Sequence, residues 1–537
     1  MESSKYATKS LDHLGLISVL CQELGVAKFI DEKVPNQSAY RHISYGELLV
    51  AMILNGLGFV SRTLHMVPDY FSDKPVERLI GAGIKAEHIN DDALGRLLDK
   101  LYEIGVSELY QGLSEQVVSH LGLSCDLVHL DATSFHVDGA YVPDMDSKGV
   151  RLTKGYSRDN RPDLNQVILN LITENQAGIP VYMQACSGNT NDSESFKLLV
   201  KSHIKSLKAA QRSQYFIGDS ALYVAETICA LNDQNKYFIT RVPQHITEAK
   251  TLLKEAGIMH FTPLENGYSA VWCDNIAYAG VKQKWLLVKS EQASKRENHT
   301  LDKNILKNTQ QSIKTFKKLC QQMFACETDA KNALKKWEEA QSYVRVCEAV
   351  IIKTMVHAKP GRPKANEVGV TCFKIDGQLA TQLSLKNAAK EEKGFFILAT
   401  NDCSERLSMQ NMLDNYKSQQ SVERGFRFLK SPDFLTSSLF LKTPERIEAL
   451  LMVMTCCLMI YAALEHMIRR ELVAKDMFFP DMKKKPTQKP TAKWVFWCFI
   501  GIHELNIDAK TTVVINITPR QRIILDCLGE RYWGIYS

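Results

Sequence analysis

Apolar residues recur at helical spacing through the first 124 positions. Leu14, Ile17, Leu20, Leu24 and Val26 form one stripe, as expected of helices that each bury one face. Ser44 and Glu47 read as a capping box opening an apolar helix over 48–57, and Asn90, followed by Asp91 and Asp92, opens another over 94–104. From residue 125 the period shortens. Partial alternation and β-branched or aromatic runs predict strands over 127–137, 166–173, 180–185, 215–219 and 237–240, with helices over 193–207 and 221–231. Three short strands over 268–272, 276–281 and 284–288 follow. After them come two long basic helices over 301–324 and 329–355, with Ala333, Trp337, Ala340, Val344, Cys347 and Ile351 lining the second. A strand over 395–400, a helix over 416–430 and an apolar run over 450–464 come next. A strand over 511–517 and a helix over 520–528 end the chain.

This order predicts an α/β protein in five parts. They are an N-terminal helical region (1–124), the first part of a mixed-sheet core (125–243), a β-plus-helical insertion (244–394), the second part of the core (395–475) and a C-terminal region (476–537). The length of 537 residues agrees, being too great for one compact core.

Charge sharpens the division. The chain carries a net +6, but 290–365 alone holds fifteen Lys/Arg against eight Asp/Glu. Basic surface confined to one module fits either a polyanionic partner or a solvated helical pair. Lys359-Pro-Gly-Arg-Pro-Lys364 follows it, resembling an AT-hook, in which Arg362 would enter a narrow minor groove; a proline-stiffened basic linker is the alternative. The fourteen cysteines include no C-x2-C pair, which gives no support to a zinc site and fits a reducing compartment. The N-terminal ten residues lack an apolar signal region, and the run over 450–464 is short for a membrane span. A cytoplasmic protein with no membrane partner is expected.

Three acids carry the candidate chemistry. Asp131 lies within the alternating run over 127–137, and Asp219 ends the strand over 215–219. Ligand-binding residues of α/β sheets collect at such strand ends, although a helix N-cap would also explain Asp219 and a strand-end acid Asp131. Glu423 stands seven residues from both Tyr416 and Lys430. On one continuous helix the three share a face.

With these residues the chain resembles the DDE transposases of bacterial insertion sequences, in the subgroup with the signature Tyr-x2-Arg-x3-Glu-x6-Lys and a large insertion before the glutamate. Tyr416, Glu423 and Lys430 match, and Gln419 occupies the arginine position. Gly155-Tyr-Ser-Arg-Asp-Asn-Arg-Pro-Asp-Leu-Asn-Gln166, Gly188-Asn-Thr-Asn-Asp192 and Leu441-Lys-Thr-Pro-Glu-Arg-Ile-Glu448 extend the likeness. The resemblance implies an RNase H-like core in which Asp131, Asp219 and Glu423 are both catalytic and metal ligands for two Mg²⁺ ions, with Mn²⁺ able to substitute. It further implies that Tyr416 and Lys430 position phosphates; Arg424 and Arg427 are nearby, and Arg427, one turn past Glu423, would supply the cation missing at Gln419. Its partners would be double-stranded DNA, as transposon ends and target, and a second copy of the chain. A tryptophan of the insertion, Trp272 or Trp285, would either stack a flipped base or fill the core. Two rival readings stay open: a metal-dependent nuclease that cuts without joining, and a catalytically inactive DNA-binding relic.

Overall fold

The computed structural model describes the chain except residues 1–5, 35–41, 60–62, 138–148, 157–160, 192–193, 195, 198–212, 357–369, 392, 432–440, 442 and 508–510; the side chains of 420–423 are also outside it. The expected helix over 193–207 falls almost wholly outside the described residues. So do Arg362 with the Lys359–Lys364 segment, and parts of the motifs beginning at Gly155 and Gly188.

The first 124 residues form helices α1 (Leu14–Glu23), α2 (Val26–Lys33), α3 (Tyr45–Leu57), α4 (Asp91–Ile104) and α5 (Val106–Leu121), with shorter turns between. Both expected caps are made. The Ser44 hydroxyl accepts from the Glu47 amide while the Glu47 carboxylate accepts from Ser44, and Asn90 accepts from Ala93. One strand precedes the helices. Residues expected to be helical throughout begin with β1 (Tyr6–Ser10), which pairs with a strand from the far end of the chain.

The centre is a nine-stranded mixed sheet. Its strands in chain order are β2 (Leu127–Val137), β3 (Asn165–Glu174), β4 (Pro180–Ser187), β5 (Tyr215–Gly218), β6 (Tyr237–Arg241), β7 (Thr262–Leu264), β8 (Tyr268–Tyr278), β9 (Val281–Ser290) and, after a long excursion, β12 (Phe395–Thr400). Across the sheet they run β4-β3-β2-β5-β6-β12-β9-β8-β7. β2, β3 and β4 form an antiparallel meander, and β5 and β6 add in parallel beside β2. That is the RNase H-like arrangement expected. Between β5 and β6 lies helix α6 (Ala225–Asp233), and after β6 comes α7 (Thr247–Glu255).

The segment 244–394 contributes to this sheet as well as leaving it. β8 and β9 are two long strands where three short ones were expected, because the bulge between Cys273 and Ile276 interrupts the apolar pattern without ending the strand. Ala279 and Gly280, both at positive φ, turn the hairpin. Beyond Ser290 the chain departs as α8 (Glu291–Gln321) and α9 (Glu327–Glu339), then a hairpin of β10 (Val344–Val356) and β11 (Val370–Thr381), then α10 (Leu383–Glu391). The second long helix expected here stops at Glu339. Val344, Cys347 and Ile351 lie on β10, where the β-branched run Val350-Ile351-Ile352 fits a pleated surface better than a helix. Phe316, Leu319, Ala330 and Ile375 give this excursion a small core of its own.

After β12 come α11 (Met409–Lys417), α12 (Gln420–Leu429) and α13 (Pro444–Ala474). α13 is apolar on all sides and, although long enough to cross a membrane, is buried inside the fold. Helices α1, α3, α4 and α5 pack around it, joined by α14 (Ala492–Phe499) and α15 (Pro519–Leu528) from the C-terminal region. Strands β13 (Phe479–Pro480) and β14 (Pro486–Thr487) make a small hairpin, and β15 (His503–Ile507) with β16 (Thr511–Ile515) completes the sheet begun by β1. Both ends of the chain therefore close around one central helix. Arg446 clamps its first turn to α4 through a two-pronged pair with Asp99, at 2.7 and 2.8 Å.

Candidate active site

Asp131 lies in β2, which is buried along nearly its whole length because the sheet is covered on both faces. Its own exposure is 9%, and Oδ1 accepts from the amide of Ala132 at 2.8 Å. Asp219 follows directly on Gly218, the last residue of β5. It does not cap the next helix, which starts at Ala225 behind Val224. Its carboxylate accepts instead from the Ala221 amide at 2.9 Å, and its carbonyl accepts from the Thr240 hydroxyl of β6 at 2.6 Å. The Asp219 backbone is thus tied to the neighbouring strand.

β2 and β5 run parallel with Leu130 opposite Gly218. The next pair in step is Asp131 and Asp219, on neighbouring strands about 4.8 Å apart. Two acids 88 residues apart in the chain so reach one level of one sheet. Paired carboxylates of this kind are hard oxygen donors, suited to Mg²⁺ or Mn²⁺. Among the described residues no group of three His, Cys, Asp or Glu side chains gathers, and the Glu423 side chain lies outside them.

The backbone of Glu423 is described, in α12, and two contacts bracket it. Ser418, just before the helix, meets His129 Nε2 at 3.1 Å. Lys430, at its end, holds Nζ 5.9 Å from the centre of the Phe135 ring. His129, Asp131, Thr133 and Phe135 alternate onto one face of β2, so the segment between the contacts runs alongside that face. Glu423 lies about 7.5 Å of helix beyond Ser418, and Asp131 about 6.6 Å of strand beyond His129. The backbone at Glu423 therefore comes level with Asp131.

The single helix expected from Tyr416 to Lys430 is two helices. At the joint Ser418 N still bonds Asp414 O at 2.9 Å, Gln419 N tightens to Tyr416 O at 3.3 Å, and both residues keep helical dihedrals. Tyr416 belongs to α11, half-buried, its ring 6.4 Å from that of Phe396 in an apolar layer with Ile217, Ile239 and Leu398. Gln419, 9% exposed, sits buried at this joint. Arg424 and Arg427 are exposed on α12, while Phe426 and Leu429 turn inward and Phe428 packs on Tyr461 of α13. Trp285 is core, donating to Gln283, and Trp272 is half-buried beneath Lys284.

Three polar residues near the acids carried no sequence signal. His129 is fully buried, and burial holds its imidazole below the ordinary histidine range, with the Asn175 hydrogen bond opposing. Its Nε2 meets Asn175 Oδ1 at 2.8 Å as well as Ser418. Positions 129, 175 and 418 are far apart in the chain, so only the fold brings them together.

At the carboxyl end of β2, residues 149–156 lie against the start of β3 and the end of β4. Gln166 is buried, and its amide donates to Gly188 O at 2.7 Å and Tyr156 O at 3.2 Å. Gly155 and Gly188 pass so closely that a Cβ on either would fall 2.0 Å from a backbone oxygen. This cradle holds Tyr156 88% exposed, with Arg151 and Lys154 exposed beside it.

The fold is thus a mixed α/β core with paired acids on adjacent parallel strands, Asp131 within β2 and Asp219 just past the end of β5. The chain belongs to the family of the transposase DDE domain, which it matches over residues 126–460, and it is by that membership a DNA transposase. Residues 6–115 match a domain of unknown function, DUF4277. No curated protein matches the chain significantly in sequence. Among solved structures it is similar to the cryo-EM structure of the piggyBac transposase synaptic complex with hairpin DNA. The TM-score is 0.37 at 11% identity, covering 93% of this chain and 83% of that one, a likeness too loose to transfer residue roles.

Proposed function

We propose that Asp131, Asp219 and Glu423 form one divalent-metal site, taking Mg²⁺ with Mn²⁺ able to substitute. With it the protein cuts the ends of a mobile DNA element and joins them to target DNA. The observation that carries this reading is the register of β2 against β5, which sets Asp131 level with Asp219 while α12 brings its backbone at Glu423 to the same height. A bound metal pair would supply activation of the attacking oxygen and stabilisation of the leaving one.

The chain's own groups do the rest. The three carboxylates fix where the reacting phosphodiester lies against the sheet. Lys430, held at the end of α12, acts as a point charge on a neighbouring phosphate. Arg424 and Arg427 stand exposed on the same helix and offer the cations that Gln419 lacks. Tyr416, on α11, positions phosphate through its hydroxyl, since its ring is engaged with Phe396. Arg151, Lys154 and Tyr156 extend a basic, aromatic surface from the same end of the sheet, suited to a DNA strand. The basic excursion carrying α8 and α9 provides further phosphate contact. Two copies acting on paired ends would let each site cut only when both ends are present.

The test is cutting and joining of labelled DNA carrying the element's own ends, in Mg²⁺, by wild type and Glu423→Gln. Cut and joined products that vanish in the variant support the proposal. Cutting without joining makes the protein a nuclease. Specific binding with neither product, in both proteins alike, leaves a DNA-binding relic and overturns the catalytic assignment.

A further inference from the structure

We infer that His129 and Ser418 are positioning residues for the active site, pinning the joint between α11 and α12 so that Glu423 is held level with Asp131. The inference rests on the metal-site reading of Asp131 and Glu423 given above.

Hydrogen-bond chemistry orients the pin. Ser418 Oγ lies 2.6 Å from the carbonyl of Asn415, to which it must donate its one proton. Toward His129 Nε2 the hydroxyl can then only accept. Asn175 Oδ1, the second neighbour of Nε2, is also an acceptor. Nε2 therefore carries the proton and serves both, leaving Nδ1 as a buried atom without a hydrogen-bond partner among the described residues.

The pin is anchored in rigid structure. Asn175 opens the turn between β3 and β4, which the buried Glu174 carboxylate organises by accepting from the amides of Gln176, Ala177 and Ile179 at 2.7–2.9 Å. The path runs from this turn through Asn175 and His129 to Ser418, and so from the sheet to the helix joint. The pin sits where the backbone ladder tightens, since Gln419 N bonds Tyr416 O at 3.3 Å while Asn415 O takes the Ser418 hydroxyl. Glu423 lies about 7.5 Å past the pin. A tilt of about 10° at Ser418 would shift it by roughly 1.3 Å, beyond the roughly 0.5 Å tolerance of a catalytic constellation.

The experiment measures the Mg²⁺ concentration for half-maximal DNA cutting, alongside DNA affinity and melting temperature, in the full-length protein. Ser418→Ala removes the acceptor, whereas Ser418→Thr keeps it, and His129→Gln keeps a donor near the Nε2 position. The expected result is a rise in half-saturating Mg²⁺ of about tenfold or more for Ser418→Ala, with DNA affinity and melting unchanged. Ser418→Thr restores wild-type behaviour. His129→Leu combined with Ser418→Ala is expected to be no worse than His129→Leu alone. Wild-type Mg²⁺ dependence in Ser418→Ala overturns the inference, and so does a defect that Ser418→Thr fails to restore. Undiminished cutting by Glu423→Gln overturns the underlying metal-site reading instead, so the two failures are distinguishable.

Discussion

At the scale of single residues, the two aspartates and the residues that support them should separate in size of effect. Asp131→Asn or Asp219→Asn is expected to lower cutting by more than the roughly 10- to 100-fold that loss of a supporting partner costs, with binding of DNA retained. Single-turnover cleavage beside a binding assay checks this. The strand positions of Asp131 and Asp219 were legible because each has a local signature, an alternating run and a Gly-Asp strand end. His129, Asn175 and Ser418 have none, since their meaning lies in one hydrogen-bond path between distant segments. A second residue gives a pH prediction. Burial, and then the charge of Glu445, push the Glu448 carboxyl up to about 7. In the unfolded chain it titrates near 4.3, so between about 4.3 and 7 the folded state binds the extra proton. Its contribution to stability accordingly falls as pH rises through that window and stays lost above it. Glu448→Gln should raise the melting temperature at pH 8 by roughly 1–3 °C and leave it unchanged at pH 5. Equal gains at both pH values would contradict the assignment.

At the scale of elements, the cradle under Tyr156 allows a sharp test. A Cβ at Gly188 would lie 2.0 Å from the Gln166 carbonyl oxygen, which is backbone and cannot swing aside. Gly188→Ala is expected to cost about 1–3 kcal/mol, read from urea unfolding, and to weaken DNA binding if the loop carries Tyr156 to the strand. Elements with an uninterrupted pattern were the legible ones: β2, β5 and β12 lie where alternation and apolar runs put them. The misreadings share a cause. Residues 344, 347 and 351 satisfy helical spacing, yet the β-branched residues between them pair with β11 instead. The segment from Tyr416 to Lys430 also satisfies it, yet its backbone ladder tightens at Gln419, beside the contact of Ser418 with His129. In both places a tertiary contact overrode a local period.

At the scale of the whole molecule, the N- and C-terminal segments are parts of one structure. α13 is covered by helices from both, and the Tyr110 hydroxyl of α5 donates to Pro180 of β4 at 2.7 Å. Tyr110→Phe should cost about 1–2 kcal/mol, whereas removal of residues 1–124 should expose α13 and yield aggregated protein. A soluble, folded 125–537 chain would contradict this packing. The order of the first five core strands could be read from the sequence. The joining of β1 to β15, and the continuation of the sheet through β7–β9, could not, because edge-to-edge pairing leaves no trace in either partner's own pattern.

The central claim is that Asp131, Asp219 and Glu423 hold the metal that makes cutting possible, and ligand replacement tests it most directly. A thiolate substitutes poorly for an oxygen ligand of Mg²⁺ and better for one of Mn²⁺. Cutting by Asp219→Cys should therefore be lost in Mg²⁺ and regained in Mn²⁺, while Asp219→Ala stays inactive in both. Wild-type cutting in Mg²⁺ by either variant would show that Asp219 is not a ligand and contradict the account.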